Sequence, residues 1–326
     1  MAYRFGDAFV AQFNPSLTSR IYSSYLGGRS DDAATGVAVE ASGAFVVVGN
    51  TVSANWPTTP NAFQPRYMGT QGGGLFPQGD AFLVRFGETP RNSIAAVSHG
   101  ATFASGPVAP GLVITLFGEG IGPDGLVTAQ LSPAGTLETT LAGTRVLVDG
   151  TPAPLVYVSA RQSSAIVPYA VAGKTSAAII VEYRGDRTAP LTVAVRDSAP
   201  GLFSADSSGR GPGAILHPDY TPVTAARPAD RGGIVLLFGT GEGQTDPPGA
   251  DGKLATGVLP KPLLPVTVTI GGVEAEVLYA GAAPGLVAGV LQINVKIPEN
   301  LVPGTHPVIV RIGGNASQTG LTISVR

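Results

Sequence analysis

Two glycine-rich turns, three histidines, one acidic pair and one aromatic run are the places where this chain could do chemistry. Phe117-Gly118-Glu119-Gly120-Ile121-Gly122 and Phe238-Gly239-Thr240-Gly241-Glu242-Gly243 each follow an apolar strand pattern, as a dinucleotide phosphate loop does. Such a loop binds phosphate only when a helix opens directly after it and presents its first N–H groups. Here Pro123-Asp124-Gly125 and Thr245-Asp246-Pro247-Pro248-Gly249 follow, and neither run starts a helix. Both are therefore predicted to be tight architectural turns, and no nucleotide cofactor is expected.

His99, His217 and His306 lie far apart, and no two share a metal-ligand spacing. No Gly-x-Ser-x-Gly elbow accompanies them. They are expected at turns and surfaces, with no catalytic residues, no metal and no cofactor. Asp31-Asp32 after Gly27-Gly28 could hold calcium, which takes several oxygen ligands. The stretch lacks alternating acidic ligands, so turn capping through backbone N–H groups is the stronger reading.

Trp56, Phe63, Tyr67 and Phe76 gather near a Gly-rich stretch, and exposed aromatics stack on sugars. Trp56 and Tyr67 are the candidate glycan contacts, weighed against core packing in the proline-braced corner Asn55-Trp56-Pro57-Thr58-Thr59-Pro60. Asn315-Ala316-Ser317 satisfies the N-glycosylation sequon, which makes Asn315 a possible modification site.

The elements that must position these groups are strands. The chain has 326 residues, 44% of them hydrophobic, 13% charged, with 45 glycines and 28 prolines. Alternation of apolar residues with Thr, Ser and Gly predicts an all-β chain. The net charge is −2, and Lys174, Lys253, Lys261 and Lys296 are the only lysines. No basic stripe is present to follow a nucleic-acid backbone, and no run reaches the ~18 apolar residues of a membrane helix. The absence of cysteine excludes disulfides and thiolate chemistry. No apolar stretch of signal-peptide type follows Met1, so a secreted form is expected to carry an upstream segment.

One strand is written twice. Gly6-Asp7-Ala8-Phe9-Val10-Ala11-Gln12-Phe13 returns as Gly79-Asp80-Ala81-Phe82-Leu83-Val84-Arg85-Phe86. The segment between them reads as one propeller-type blade, residues 1–90, with a strand to spare. A propeller closes with about 4–8 blades, so a lone blade leaves strand edges open to another chain. Residues 91–199 and 200–326 are expected to be two immunoglobulin-like β-sandwiches that each fold alone. They match internally: Leu112-Val113-Ile114-Thr115-Leu116-Phe117-Gly118 parallels Gly233-Ile234-Val235-Leu236-Leu237-Phe238-Gly239, and Arg145-Val146-Leu147-Val148-Asp149-Gly150 parallels Val266-Thr267-Val268-Thr269-Ile270-Gly271. Residues 67–78 are predicted to be a mobile loop, and residues 87–92 a flexible link.

These motifs carry a resemblance. Gly6-Asp7-Ala8-Phe9-Val10-Ala11, Tyr25-Leu26-Gly27-Gly28, Val37-Ala38-Val39 and Trp56-Pro57-Thr58-Thr59-Pro60 resemble the SBBP-type bacterial β-propeller repeat. Pro107-Val108-Ala109-Pro110-Gly111, Leu141-Ala142-Gly143, Ala199-Pro200-Gly201-Leu202-Phe203 and Leu291-Gln292-Ile293-Asn294-Val295 resemble the uncharacterised C-terminal domain family first described in Solibacter-type bacteria. The resemblance implies a secreted or surface protein and no catalytic residues.

The function expected is a non-catalytic extracellular structural protein that self-associates head to tail by strand addition into a filament or surface fibre. Phe9, Ala11 and Phe13, with their repeats Phe82, Val84 and Phe86, are the expected self-association strands. An adhesin or carbohydrate-binding module of a larger secreted protein is the alternative.

Overall fold

In a computed structural model the period-two alternation is realised as strands throughout the described residues, and the protein is all-β. Among the described residues the single helical element is a 3-10 turn, Tyr169–Val171. The structure describes residues 6–13, 16–40, 44–59, 62–69, 79–86 and 92–326, with Ile21 described in its backbone alone. Residues 70–78 of the Gly-rich stretch and 87–91 of the link lie outside the described residues. The chain divides into two compact units, Met1–Thr89 and Pro90–Arg326.

The first unit holds β1 (Ala8–Phe13), β2 (Arg20–Leu26), β3 (Asp32–Val39), β4 (Phe45–Thr51) and β5 (Asp80–Phe86). Among the described residues they lie in two sheets. β1 pairs antiparallel with β2 in a two-stranded sheet, and β3-β4-β5 form a separate three-stranded sheet. The division falls at Gly27-Gly28. A Cβ on Gly27 would meet the Asp32 and Asp7 carboxyls at 2.6 and 2.7 Å, and one on Gly28 would meet Ser53 Cβ at 2.5 Å. Asp32 is buried there. Its Oδ2 accepts from Gly28 N–H at 2.7 Å and from Ser53 Oγ at 2.8 Å. This corner sends the chain into a new sheet rather than back along β2. Ala8, Val10, Leu26, Phe45, Val47 and Phe82 share one core between the two sheets.

In the second unit, β6 (Ser93–His99), β7 (Val113–Glu119), β8 (Thr144–Val148), β9 (Leu155–Val158), β10 (Gln162–Ile166), β11 (Ser176–Tyr183) and β12 (Leu191–Ala194) make two five-stranded sheets together with two-residue edge strands. One runs β6-β7-β10-β9 and the other has β11 between β8 and β12. Ile114, Leu116 and Leu155 from the first face Val146, Val148, Ile179 and Val181 from the second in one core. The same order recurs downstream. There β13 (Ile234–Thr240), β16 (Leu291–Lys296) and β15 (Val273–Ala282) repeat β7-β10-β9, while β14 (Val266–Ile270), β17 (Gly304–Ile312) and β18 (Leu321–Val325) repeat β8-β11-β12.

The second copy differs in how its two faces join. β15 pairs with β14 up to Ala275 and with β16 from Glu276, so it passes from one face to the other and joins both into a ten-stranded sheet. The two halves meet through backbone bonds from Leu137 N–H to Gly252 O (2.8 Å) and Leu254 N–H to Gly135 O (3.1 Å).

Candidate functional site

Among the described residues β1 pairs only with β2 and β5 only with β4, and neither copy has a described strand on its second edge. The two copies also bury opposite faces. In β1, Ala8 and Val10 face the core, while Phe9 is 71% exposed and Ala11 and Phe13 are exposed with it. In β5, Phe82 is 7% exposed, Val84 and Phe86 pack against the core, and Ala81, Leu83 and Arg85 point out. The sequence pattern treats Phe9/Ala11/Phe13 and Phe82/Val84/Phe86 as interchangeable, but the fold sets one triplet outside and the other inside. The local pattern of β1 could not choose between the faces, because Ala8-Phe9-Val10-Ala11 is apolar on both.

The cross-strand register shows what each face holds. Phe9 lies opposite Tyr25, itself exposed, and Ala11 lies opposite Ser23. Phe82 lies opposite Gly49, and a Cβ on Gly49 would stand 2.6 Å from Phe82 Cζ. The ring thus covers the glycine and stacks on Trp56 at 4.2 Å between centroids. Phe86 stacks on Phe45 at 5.1 Å, and Tyr22 closes on both rings at 6.5 and 6.0 Å.

A groove of about 540 Å³ runs beside the open edge of β1. Phe9, Val10, Ala11 and Gln12 form one wall, and Val37, Val39 and Val47 contribute to its floor. Val37 and Val39 are exposed, opposite the buried Val47 and Phe45 in the register of β3 and β4. An open β-edge above an apolar floor is the arrangement that accepts an added strand.

The aromatic run divides. Trp56 is half-buried against Phe82, Tyr67 is half-buried, and Phe63 is fully exposed; Phe76 lies outside the described residues. Asn315 is half-buried on a two-residue strand, Asn315–Ala316. Its Nδ2 donates to Ser198 Oγ at 3.0 Å, and its Oδ1 accepts from Arg196 Nη1 at 3.3 Å. The sequon's Ser317 hydroxyl accepts from Val310 N–H at 3.0 Å.

The histidines serve the backbone. Ala101 N–H donates to His99 Nδ1 at 3.0 Å, which leaves the proton on Nε2 to donate to Ala199 O at 2.9 Å. Burial holds His99 below the usual imidazole range. His217 and His306 place Nε2 against Arg227 O and Val302 O. Asp31 Oδ1 accepts from Gly6 N–H, and among the described residues no cluster of His, Asp and Glu is arranged to hold a metal.

The glycine-rich turns are close-approach points. A Cβ on Gly241 would stand 1.8 Å from Ala199 O, one on Gly243 2.0 Å from Asp197 O, and one on Gly122 2.6 Å from Ser159 O. The second turn carries a group that pattern reading did not single out. Glu242 is buried between the two halves of the second unit, where Tyr169 OH donates to its Oε1 at 3.0 Å while Oε2 has no partner. Burial pushes the Glu242 carboxyl up to about 7 and raises the Tyr169 phenol above its ordinary value. Asp251 Oδ1 accepts from Tyr169 N–H at 2.9 Å, so one tyrosine ties two segments of the second half to the first.

No protein-family model matches the chain, and no curated protein does. Among solved structures, the plexin A4 full extracellular region, domains 1 to 8, is similar over 72% of this chain and 18% of its own, at 13% identity and a TM-score of 0.25. The Bacteroides ovatus mixed-linkage glucan utilization locus protein SGBP-B, in complex with a mixed-linkage heptasaccharide, is similar over 100% of this chain and 62% of its own, at 12% identity and a TM-score of 0.31. The human desmocollin-1 ectodomain covers 97% of this chain and 49% of its own, at 8% identity and a TM-score of 0.16. The chain spans less than two thirds of the length of each, and likenesses at these scores carry no argument about the site.

Proposed function

We propose that this chain is a non-catalytic structural protein of the cell exterior that self-associates head to tail by β-strand addition into a filament or surface fibre. The observation that carries the reading is the open edge of β1 above the groove floored by Val37, Val39 and Val47. An incoming strand there gains main-chain hydrogen bonds from β1 and apolar cover from β3. The open edge of β5 offers a second, different docking line, and two unlike surfaces make a heterologous contact that builds rings or open filaments. The second unit acts as a spacer or outer coat. The exterior location and the absence of catalysis follow from the resemblance of the first unit to the SBBP-type repeat and of the second to the Solibacter-type domain family.

The test is the assembly state of the full chain and of a form lacking residues 1–13, by light scattering after size exclusion and by negative-stain microscopy. The full chain is expected to form fibres or large oligomers and the shortened form to stay monomeric. A full chain that is monomeric at high concentration, or a deletion that assembles unchanged, overturns the reading.

A further inference from the structure

The second unit has two cores and one seam between them. Ile114, Val146 and Ile179 belong to one core and Leu237, Val268 and Ile293 to the other, and among the described residues no buried side chain is shared. Hydrogen bonds cross the seam: Val113 N–H donates to Thr240 Oγ1 at 2.9 Å and Tyr169 N–H to Asp251 Oδ1, beside the backbone bonds of Leu137 and Leu254. The two backbones close up at glycines. A Cβ on Gly289 would stand 2.4 Å from Gly111 O, and one on Gly249 2.3 Å from Tyr169 Cζ. A separation along this seam would leave both cores whole.

Glu242 is the buried carboxyl of that seam. From the first half it meets Tyr169, whose hydroxyl donates to Oε1, and the turn at Gly111, where a Cβ would stand 3.2 Å from the same oxygen. From its own half the Gly289 backbone faces it. Oε2 is buried with no partner, and among the described residues no lysine, arginine or histidine forms an ion pair with the group. The other titratable groups at the seam are Asp251, bound to Tyr169 N–H, and His99, whose Nε2 donates to Ala199 O on the link between the halves. Arg196 and Asp197 on that link are exposed, as are Asp246, Lys253 and Glu138 on the packed segments. A protonated carboxyl is tolerable in such a place, whereas a carboxylate is a buried charge without a counter-ion.

We propose that the seam is a proton-dependent latch: while the Glu242 carboxyl keeps its proton the two halves are locked, and when it gives the proton up they part along the seam with each core intact. The inference concerns the second unit alone and does not rest on the self-association reading. Opening lets water reach Oε2, and the carboxyl then ionises at its ordinary 4.5 rather than at about 7. The closed form is therefore most favoured below pH about 4.5 and is weakened as the pH rises through 7. The closed-to-open ratio falls by up to about 300-fold in all, and by about 70-fold between pH 5 and pH 8.5. Asp251, also raised by burial, acts in the same direction. His99, held low by burial, acts in the opposite one on the acid side.

The test is amide hydrogen exchange of the full chain between pH 5 and pH 8.5, with each rate corrected for the intrinsic pH dependence of exchange. The Leu137 and Leu254 N–H groups bond across the seam and report its opening; the amides of β7 and β16 report the two cores. The seam amides are expected to lose protection by about 70-fold over this range while the core amides hold theirs. Glu242→Gln is expected to flatten the seam response. Tyr169→Phe removes a donor that favours the charged form, so it is expected to move the transition to higher pH. Seam and core amides losing protection together would mean that the unit unfolds as one body, and the latch is overturned. A seam response that is flat in the parent, or that survives in Glu242→Gln, overturns it as well. Should Glu242→Gln fail to fold, Tyr169→Phe decides, and a transition that stays in place or moves to lower pH assigns the event to another group and overturns the proposal.

Discussion

Trp56 and Phe82 stack at 4.2 Å with their planes 23° apart, and this contact ties the proline-braced corner to the duplicated strand. Phe82 also covers Gly49, so one ring fills the space above a residue with no side chain and supports the indole on its other side. Trp56 is the only tryptophan in the chain, which makes its fluorescence a reporter for the first unit. Replacing Phe82 with Leu keeps an apolar side chain but removes the stack. The expected loss is about 1–2 kcal/mol, made up of the aromatic pair and the misfit over Gly49. Denaturant titration followed at Trp56 measures it, and a midpoint equal to that of the parent chain would refute the role given to the stack.

Phe9 and Phe82 are the same position in two copies of one strand, yet they should respond oppositely to loss of the ring. Phe82→Ser removes a buried aromatic and is expected to cost about 3–5 kcal/mol. Phe9→Ser removes an exposed one and is expected to stay within about 0.5 kcal/mol in the dilute monomer. In concentrated solution, where the proposed self-association would operate, Phe9→Ser is expected to weaken assembly. Equal destabilisation by the two substitutions in the monomer would show that Phe9 is covered within its own chain.

The places of the strands were legible because period-two alternation survives wherever one face meets a core. Residues 112–118 and 233–239 were recognisable as counterparts from their shared apolar pattern, and the fold gives the strands they form equivalent neighbours. Which face each duplicate buries was not legible, because Ala8-Phe9-Val10-Ala11 and Ala81-Phe82-Leu83-Val84 are apolar on both faces and local pattern cannot choose. The split into two sheets was hidden for a different reason. It depends on Asp32 accepting from Gly28 and Ser53, a contact between residues 21 apart that only tertiary structure assembles. The Tyr169-Glu242 pair escaped for the same cause, its partners lying 73 residues apart.

Asn315 holds the second unit together at the join between its halves. Its Nδ2 donates to Ser198 Oγ, and Ser198 is fully buried and donates in turn to Ile312 O at 2.8 Å. Asn315→Ala deprives that buried hydroxyl of its donor and is expected to cost about 1–2 kcal/mol. Asn315→Asp keeps the shape but replaces the donor with an acceptor, so it should cost at least as much. Far-ultraviolet circular dichroism during urea unfolding reads both. A substitution to alanine without effect would mean that the bond is exchanged for water at no cost.

The Glu242 carboxyl gives the second unit a pH dependence whose sign is fixed by its burial. Its value rises from 4.5 in an exposed chain to about 7 in the fold, so the folded state holds a proton that the unfolded state has already released. Stability from this group is fully present below pH about 4.5, falls as the pH rises, and levels off above about 7. The total change is about 3 kcal/mol. Glu242→Gln still presents an acceptor to the Tyr169 hydroxyl and cannot ionise, so it should remove this slope. Asp251 is also raised by burial and contributes in the same direction, which is why the informative quantity is the difference between parent and variant. At pH 8 the variant is expected to be the more stable by about 2–3 kcal/mol, and at pH 4 the two should agree closely. Urea unfolding at intervals between these limits decides the matter. Parallel curves for the two proteins would show that the Glu242 carboxyl titrates alike in the folded and unfolded states, and burial would then not raise it.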